Sequence, residues 1–214
     1  VEDHFRNIWS SHSLSGLTSK TFFDDGSTKS FLGGIKRTLT DYFIALISLH
    51  RTSLIKNDQL REILELLVPV CNFDQLKIPL KIISTDIASG NDVISKEGNL
   101  IDALIKSCSI PGIMEPVIEG ERVIVDGGVS MPIPISPLLK SCDVTVAVDI
   151  GVYKFDNLTN PNAKSIKLRS DIITSNKLKL KQVSDADLVI RPDTNGLHWS
   201  RFDAGEILLE NGKI

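Results

Sequence analysis

The sequence predicts an α/β fold: a three-layer sandwich in which a mostly parallel central sheet carries helices on both faces. Two observations support this. Short apolar, β-branched runs alternate with longer stretches of helical period, and strands separated by helices at that spacing pair in parallel. The composition is that of a globular chain, with 42% hydrophobic and 24% charged residues in 214. A chain of this length buries roughly 70% of the surface that its unfolded form exposes, so it needs no disulfide or structural metal to fold. The length favours one domain, with a helical region over 1–78 and a sheet-forming core over 79–214.

Residues 1–30 are rich in Ser, Thr, Asp and Gly and read as loop with short helical pieces. Residues 39–49 are apolar enough for a buried helix. Asn57-Asp58 offers an N-cap, after which Leu60, Ile63, Leu64 and Leu67 recur at helical spacing until Pro69. Residues 80–84 read as a buried strand and 88–91 as a turn. Asn99 caps a helix over 100–110 that ends at Pro111-Gly112. Strands follow at 123–125, 144–150 and 188–190, with a basic helix at 164–182 and a last helix over 202–209.

A net charge of −3 argues against a nucleic-acid binder held by a global positive field. Cys71, Cys108 and Cys142 form no C-x-x-C pair, and His4, His12, His50 and His198 have no zinc spacing. Sparse, odd-numbered cysteines read as buried thiols in a reducing compartment. The acidic start is unlike a signal peptide, and no apolar run approaches the roughly 20 residues needed to span a bilayer. The expected location is cytoplasmic, with room for peripheral membrane contact. No metal or organic cofactor is expected.

Functional groups in open α/β sheets gather beyond the carboxyl ends of strands, and Asp86, Asp126 and Asp149 fall there. Asp126 is followed by Gly127 and Gly128, which allow a tight turn and leave the carboxylate unshielded. Taken alone, this triplet reads as a plain turn. Its company changes that reading. Ser84 to Gly90, Lys106 to Gly112, Val125 to Val129, Val146 to Asp149 and Ala186 to Asp193 occur in order. Together they closely resemble the patatin-like phospholipase family, over about two thirds of the chain.

The resemblance implies a serine acyl hydrolase with a Ser-Asp dyad, acting on phospholipid, lysophospholipid or another acyl ester. It implies that Asp126 is the base partner, with Gly127 and Gly128 supporting the motif. A free carboxylate is a feeble base, so Asp126 is expected to be partly desolvated. The sequence departs from the family pattern in having no G-x-S-x-G elbow. Gly33-Gly34-Ile35-Lys36-Arg37 superficially resembles an oxyanion loop but follows no strand. Either the sequence begins downstream of the nucleophile, or this is a relative that has lost its site and serves as a binding or scaffold protein. Loss of a unit of roughly 30 residues would strip the sheet of central strands, which favours the first.

Cys108 lacks a neighbouring histidine and reads as an inert thiol. Ser107 and Ser109 read as shaping the helix end, and Asp86 and Asp149 as turn or cap residues. Lys164, Lys167, Arg169, Lys177, Lys179 and Lys181 against Asp171 give residues 164–181 a net charge of +5. This is read as a solvated helix face or as a foothold on anionic membrane.

Overall fold

A computed structural model describes residues 56–153, 155, 157–159, 161–194 and 205–213. The expected helix at 39–49, the Gly33 to Arg37 loop and all four histidines lie outside the described residues. Helix α1 (Asn57–Leu67) leads through a 3-10 turn at Phe73–Gln75 into strand β1 (Ile82–Asp86), then β2 (Asn91–Ser95) and α2 (Leu100–Cys108). Strands β3 (Val117–Glu119), β4 (Arg122–Asp126) and β5 (Val146–Val148) follow, then α3 (Ala163–Val183), β6 (Leu188–Ile190) and α4 (Gly205–Asn211).

The mostly parallel sheet is corrected. Four strands, in the order β2-β1-β4-β3, form an antiparallel sheet, and only β5 and β6 pair in parallel. Turn chemistry explains two of the three antiparallel pairings, β1 with β2 and β3 with β4. The turn at 88–91 joins adjacent strands directly, with Gly90 at φ +77°, and Gly120 at φ +63° does the same between β3 and β4. Such short connections can only make antiparallel hairpins. Between β5 and β6, by contrast, the 21-residue α3 supplies the crossover that parallel pairing requires.

Every residue of β1 is buried, as suits a strand with neighbours on both sides. Helix α2 packs on β1 and β4, and α1 packs on α2. Leu100 and Ala103 meet Phe73 and Ile82 in one core cluster; Ile133, Ile135, Ala147 and Val183 form a second. Asn99 caps α2 as expected, its side chain accepting the Asp102 N–H at 2.9 Å. The Asn57-Asp58 cap is corrected: Asn57 is the first helical residue, and Glu115 Oε2 accepts its N–H at 3.2 Å. A distant carboxylate thus satisfies a helix-start donor that local sequence was expected to cap. At α3 the cap is local and reciprocal, between Asn162 and Ser165.

The thiols also need correcting. All three cysteines are free, but Cys71 and Cys142 are exposed. Among the described residues, no helix is long and apolar enough to cross a membrane.

Candidate functional site

Asp126 ends β4, where the chain leaves the sheet for a 3-10 turn at Gly127–Val129. Its Oδ1 accepts the Gly128 N–H at 2.6 Å, and its own N–H donates to the Ser109 carbonyl at 2.9 Å. Buried Ser109 in turn donates its hydroxyl to the Ile105 carbonyl, so the end of α2 braces the strand that presents the acid. Burial pushes the Asp126 carboxyl above its ordinary 3.8, and the Gly128 bond only partly offsets this. The expected partial desolvation of the acid is present.

Gly127 is required here by close approach and not by backbone angle. A Cβ at that position would collide with the backbone carbonyl of Ile83 on β1. Gly127→Ala is therefore expected to force the Asp126 turn off the sheet and cost about 1–3 kcal/mol. A shift in urea midpoint would measure this; an unchanged midpoint would show that the turn accommodates a methyl group.

Behind the turn lies a polar chain that sequence reading missed. Ser130 Oγ donates to Asp92 Oδ1 at 2.5 Å and lies 2.7 Å from Thr85 Oγ1. Since the Ser130 proton is committed to Asp92, Thr85 is the donor to Ser130, sharing its proton with the Asp126 carbonyl at 3.2 Å. Three segments thus hold the backbone of Asp126. Ser130 lies four residues past Asp126, but its partners become visible only once the β1–β2 hairpin is known.

The acid opens into a cleft of about 580 Å³. Ile82, Ile83, Leu104, Met131, Val148 and Ile150 supply apolar walls, and Ser107, Asp149 and Lys179 also line it. The cleft therefore gathers two of the three acids. Asp149 is fully committed: it accepts from Tyr153 Oη at 2.6 Å, the Gly151 N–H at 3.0 Å and Arg191 Nε at 3.1 Å. Burial alone would raise its pKa, but these bonds and the Arg191 charge outweigh that and hold it low. Tyr153, half-buried beside this carboxylate, is pushed up to about 12 and remains a protonated donor.

Asp86 stands apart from the cleft. It accepts from Ser89 Oγ and from the Ala88 and Val123 N–H groups, and the Ser89 bond is the main cause of its lowered pKa. The turn roles expected of Asp86 and Asp149 are the ones they have. Cys108 is half-buried, and burial, with the Asp126 charge adding to it, raises its thiol pKa. That is the opposite of an activated nucleophile.

The six basic residues of α3 divide by environment. Lys167 pairs with Asp171 at 2.5 Å, Arg169 lies 4.6 Å over the Phe155 ring, and Lys179 faces the cleft. Lys177 and Lys181 are exposed, and nothing is described of the Lys164 side chain.

The family model of the patatin-like phospholipases matches residues 2–139. The chain belongs to this family. An uncharacterized NTE family protein of Mycobacterium bovis is 34% identical over 79 residues, 36% of this chain and 22% of that protein. A second, from Mycobacterium tuberculosis, is 28% identical over 158 residues, 62% of this chain and 27% of that protein. The chain thus matches only about a quarter of the length of these relatives. The Asp126-Gly127-Gly128 turn lies within the residues that the family model matches.

Proposed function

We propose that the protein hydrolyses a carboxylic ester of a lipid, as a phospholipase A, lysophospholipase or esterase, with Asp126 as the base of a Ser-Asp dyad. The observation that carries this reading is a carboxyl with a raised pKa, braced by hydrogen bonds in the lining of a largely apolar cleft. A desolvated carboxylate is a stronger base than one in water, and apolar walls suit an acyl chain.

The serine is assigned to sequence upstream of residue 1, because no G-x-S-x-G occurs in the 214 residues. A neighbouring surface supports this assignment. Thr145, Ala147 and Asp149 point inward along β5, while Val144, Val146, Val148 and Ile150 are all exposed on its other face. Among the described residues β5 pairs only with β6, so it also presents an open edge. An added strand pairing with that edge would satisfy it, and a serine carried at its end would face Asp126 across the shared cleft.

In the reaction, the serine oxygen bonds to the acyl carbon as its proton passes to Asp126. The alcohol then leaves, taking that proton from Asp126, which is again a carboxylate. Water next attacks the acyl-enzyme with Asp126 as base, which releases the acid and restores the serine. Backbone N–H groups of the upstream segment would bind the oxyanion.

The 214-residue chain alone is expected to show no turnover of a p-nitrophenyl ester, and the protein with its natural upstream sequence is expected to show it. Turnover by the short chain would mean a nucleophile within these residues. No turnover by the longer protein, with no upstream G-x-S-x-G, would favour a scaffold that has lost the site.

A further inference from the structure

We propose that the outward side of α3 is a contact for an anionic lipid surface, made of an apolar ridge of Ile166, Ile173 and Leu180 flanked by Lys177 and Lys181. The three apolar residues recur every seven positions, and a straight helix drifts only about 20° per such repeat. They therefore form one line, and they are 51%, 43% and 44% exposed.

The fold does not require this ridge, because α3 is anchored elsewhere. Asn176 is buried and donates to the Val152 carbonyl at 2.7 Å, and Val183 sits in the second core cluster. Gln182 accepts the Ile133 N–H and donates to the Ser130 carbonyl. A surface helix ordinarily presents polar residues opposite its buried stripe. The ridge borders that stripe, Ile173 and Leu180 lying one turn before buried Asn176 and Val183, yet it stays about half exposed. An exposed apolar line with lysines along its free edge is the pattern of a helix lying in a membrane interface.

Charge identifies the occupant. Lys177 and Lys181, one turn apart, share the row beside the ridge, and neither has a carboxylate partner among the described residues. The one acid on this stretch of α3, Asp171, is taken up by Lys167. Two cations without a carboxylate partner among the described residues, beside an apolar ridge, complement anionic headgroups over acyl chains. The inner face of the same helix lines the cleft through Ser175 and Lys179, so docking α3 would hold the ester site one helix diameter, roughly 10–12 Å, from the headgroups. The choice of lipid as occupant rests on the acyl-hydrolase reading.

The test is co-sedimentation of the full-length protein with phosphatidylcholine vesicles, with and without phosphatidylglycerol. Lys177→Gln with Lys181→Gln is expected to weaken binding to the anionic vesicles about thirtyfold, roughly fivefold per lysine. Ile166→Ser, Ile173→Ser and Leu180→Ser together should weaken it further, with turnover of a soluble p-nitrophenyl ester and the melting temperature unchanged in both variants. Wild-type-like partitioning of both variants would overturn the proposal. So would a ridge variant that turns a dimer into a monomer while still binding vesicles, since the ridge would then join two copies. Vesicle binding without ester turnover would remove the acyl-hydrolase reading and leave this surface; turnover without vesicle binding would do the reverse.

Discussion

Asp126→Asn, in the protein with its natural upstream sequence, is expected to lower ester turnover by about 10²–10⁴-fold, the usual weight of a positioned general base. The fold should survive the change. Asn keeps a carbonyl oxygen to accept the Gly128 N–H, and the Thr85 and Ser109 contacts involve only the Asp126 backbone. Stability should even rise at neutral pH. Burial gives Asp126 a folded pKa above 3.8, so the folded chain binds this proton more tightly than the unfolded chain. Wild-type stability from this group therefore falls as pH rises from 3.8 through the folded pKa, and the full penalty is present above it. Asn has no charge to desolvate and escapes the penalty. Denaturation midpoints at pH 7 should favour the variant or match the wild type, with any advantage gone below pH 3.8. The same shift places the acidic limb of wild-type kcat/KM above pH 3.8. Near-normal turnover would remove Asp126 from the mechanism, and a collapsed melting transition would make it a structural acid.

How far this site could be read in advance depended on whether its determinants were local. Asp126 was legible because its acid and two glycines are contiguous and sit among phrases in family order. Its environment was not, because the groups that bury and brace it come from β1, β2 and the end of α2. The same division holds for the fold. The strands β1, β4 and β6 announce themselves as short apolar runs. Asn91–Ser95 and Val117–Glu119 do not, since the first starts with two polar residues and the second follows Pro116 and ends on Glu119. With β2 and β3 unread, the tight turns that precede β2 and β4 could not be seen to make hairpins, so the sheet was expected to be parallel. Only α3, with its crossover role, was a sound basis for parallel pairing. The charge count on that helix was also legible, but not the partners that take Lys167, Arg169 and Lys179 out of any common face.

Asp149→Ala should be strongly destabilising, costing about 2–4 kcal/mol. The Asp149 side chain is fully buried and accepts from three donors, and its loss strands each of them. Arg191, 47% exposed, can turn to water, which keeps the cost below that of breaking a wholly buried pair. Tyr153 and the Gly151 N–H have less freedom to do so. Tyr153→Phe removes one of the three bonds and should cost about 1 kcal/mol. The pH dependence runs opposite to that of Asp126. Asp149 has a folded pKa below 3.8, so its contribution is complete above 3.8 and disappears as pH falls through the lowered value. The deficit of Asp149→Ala should therefore be largest near neutrality and shrink in acid, where the wild type loses the same interactions. Urea titrations of both variants from pH 7 down to pH 3 would separate the two acids of one cleft by the sign of their effect. A deficit for Asp149→Ala that stayed constant over that range would mean that lost packing, and not the carboxylate, accounts for it.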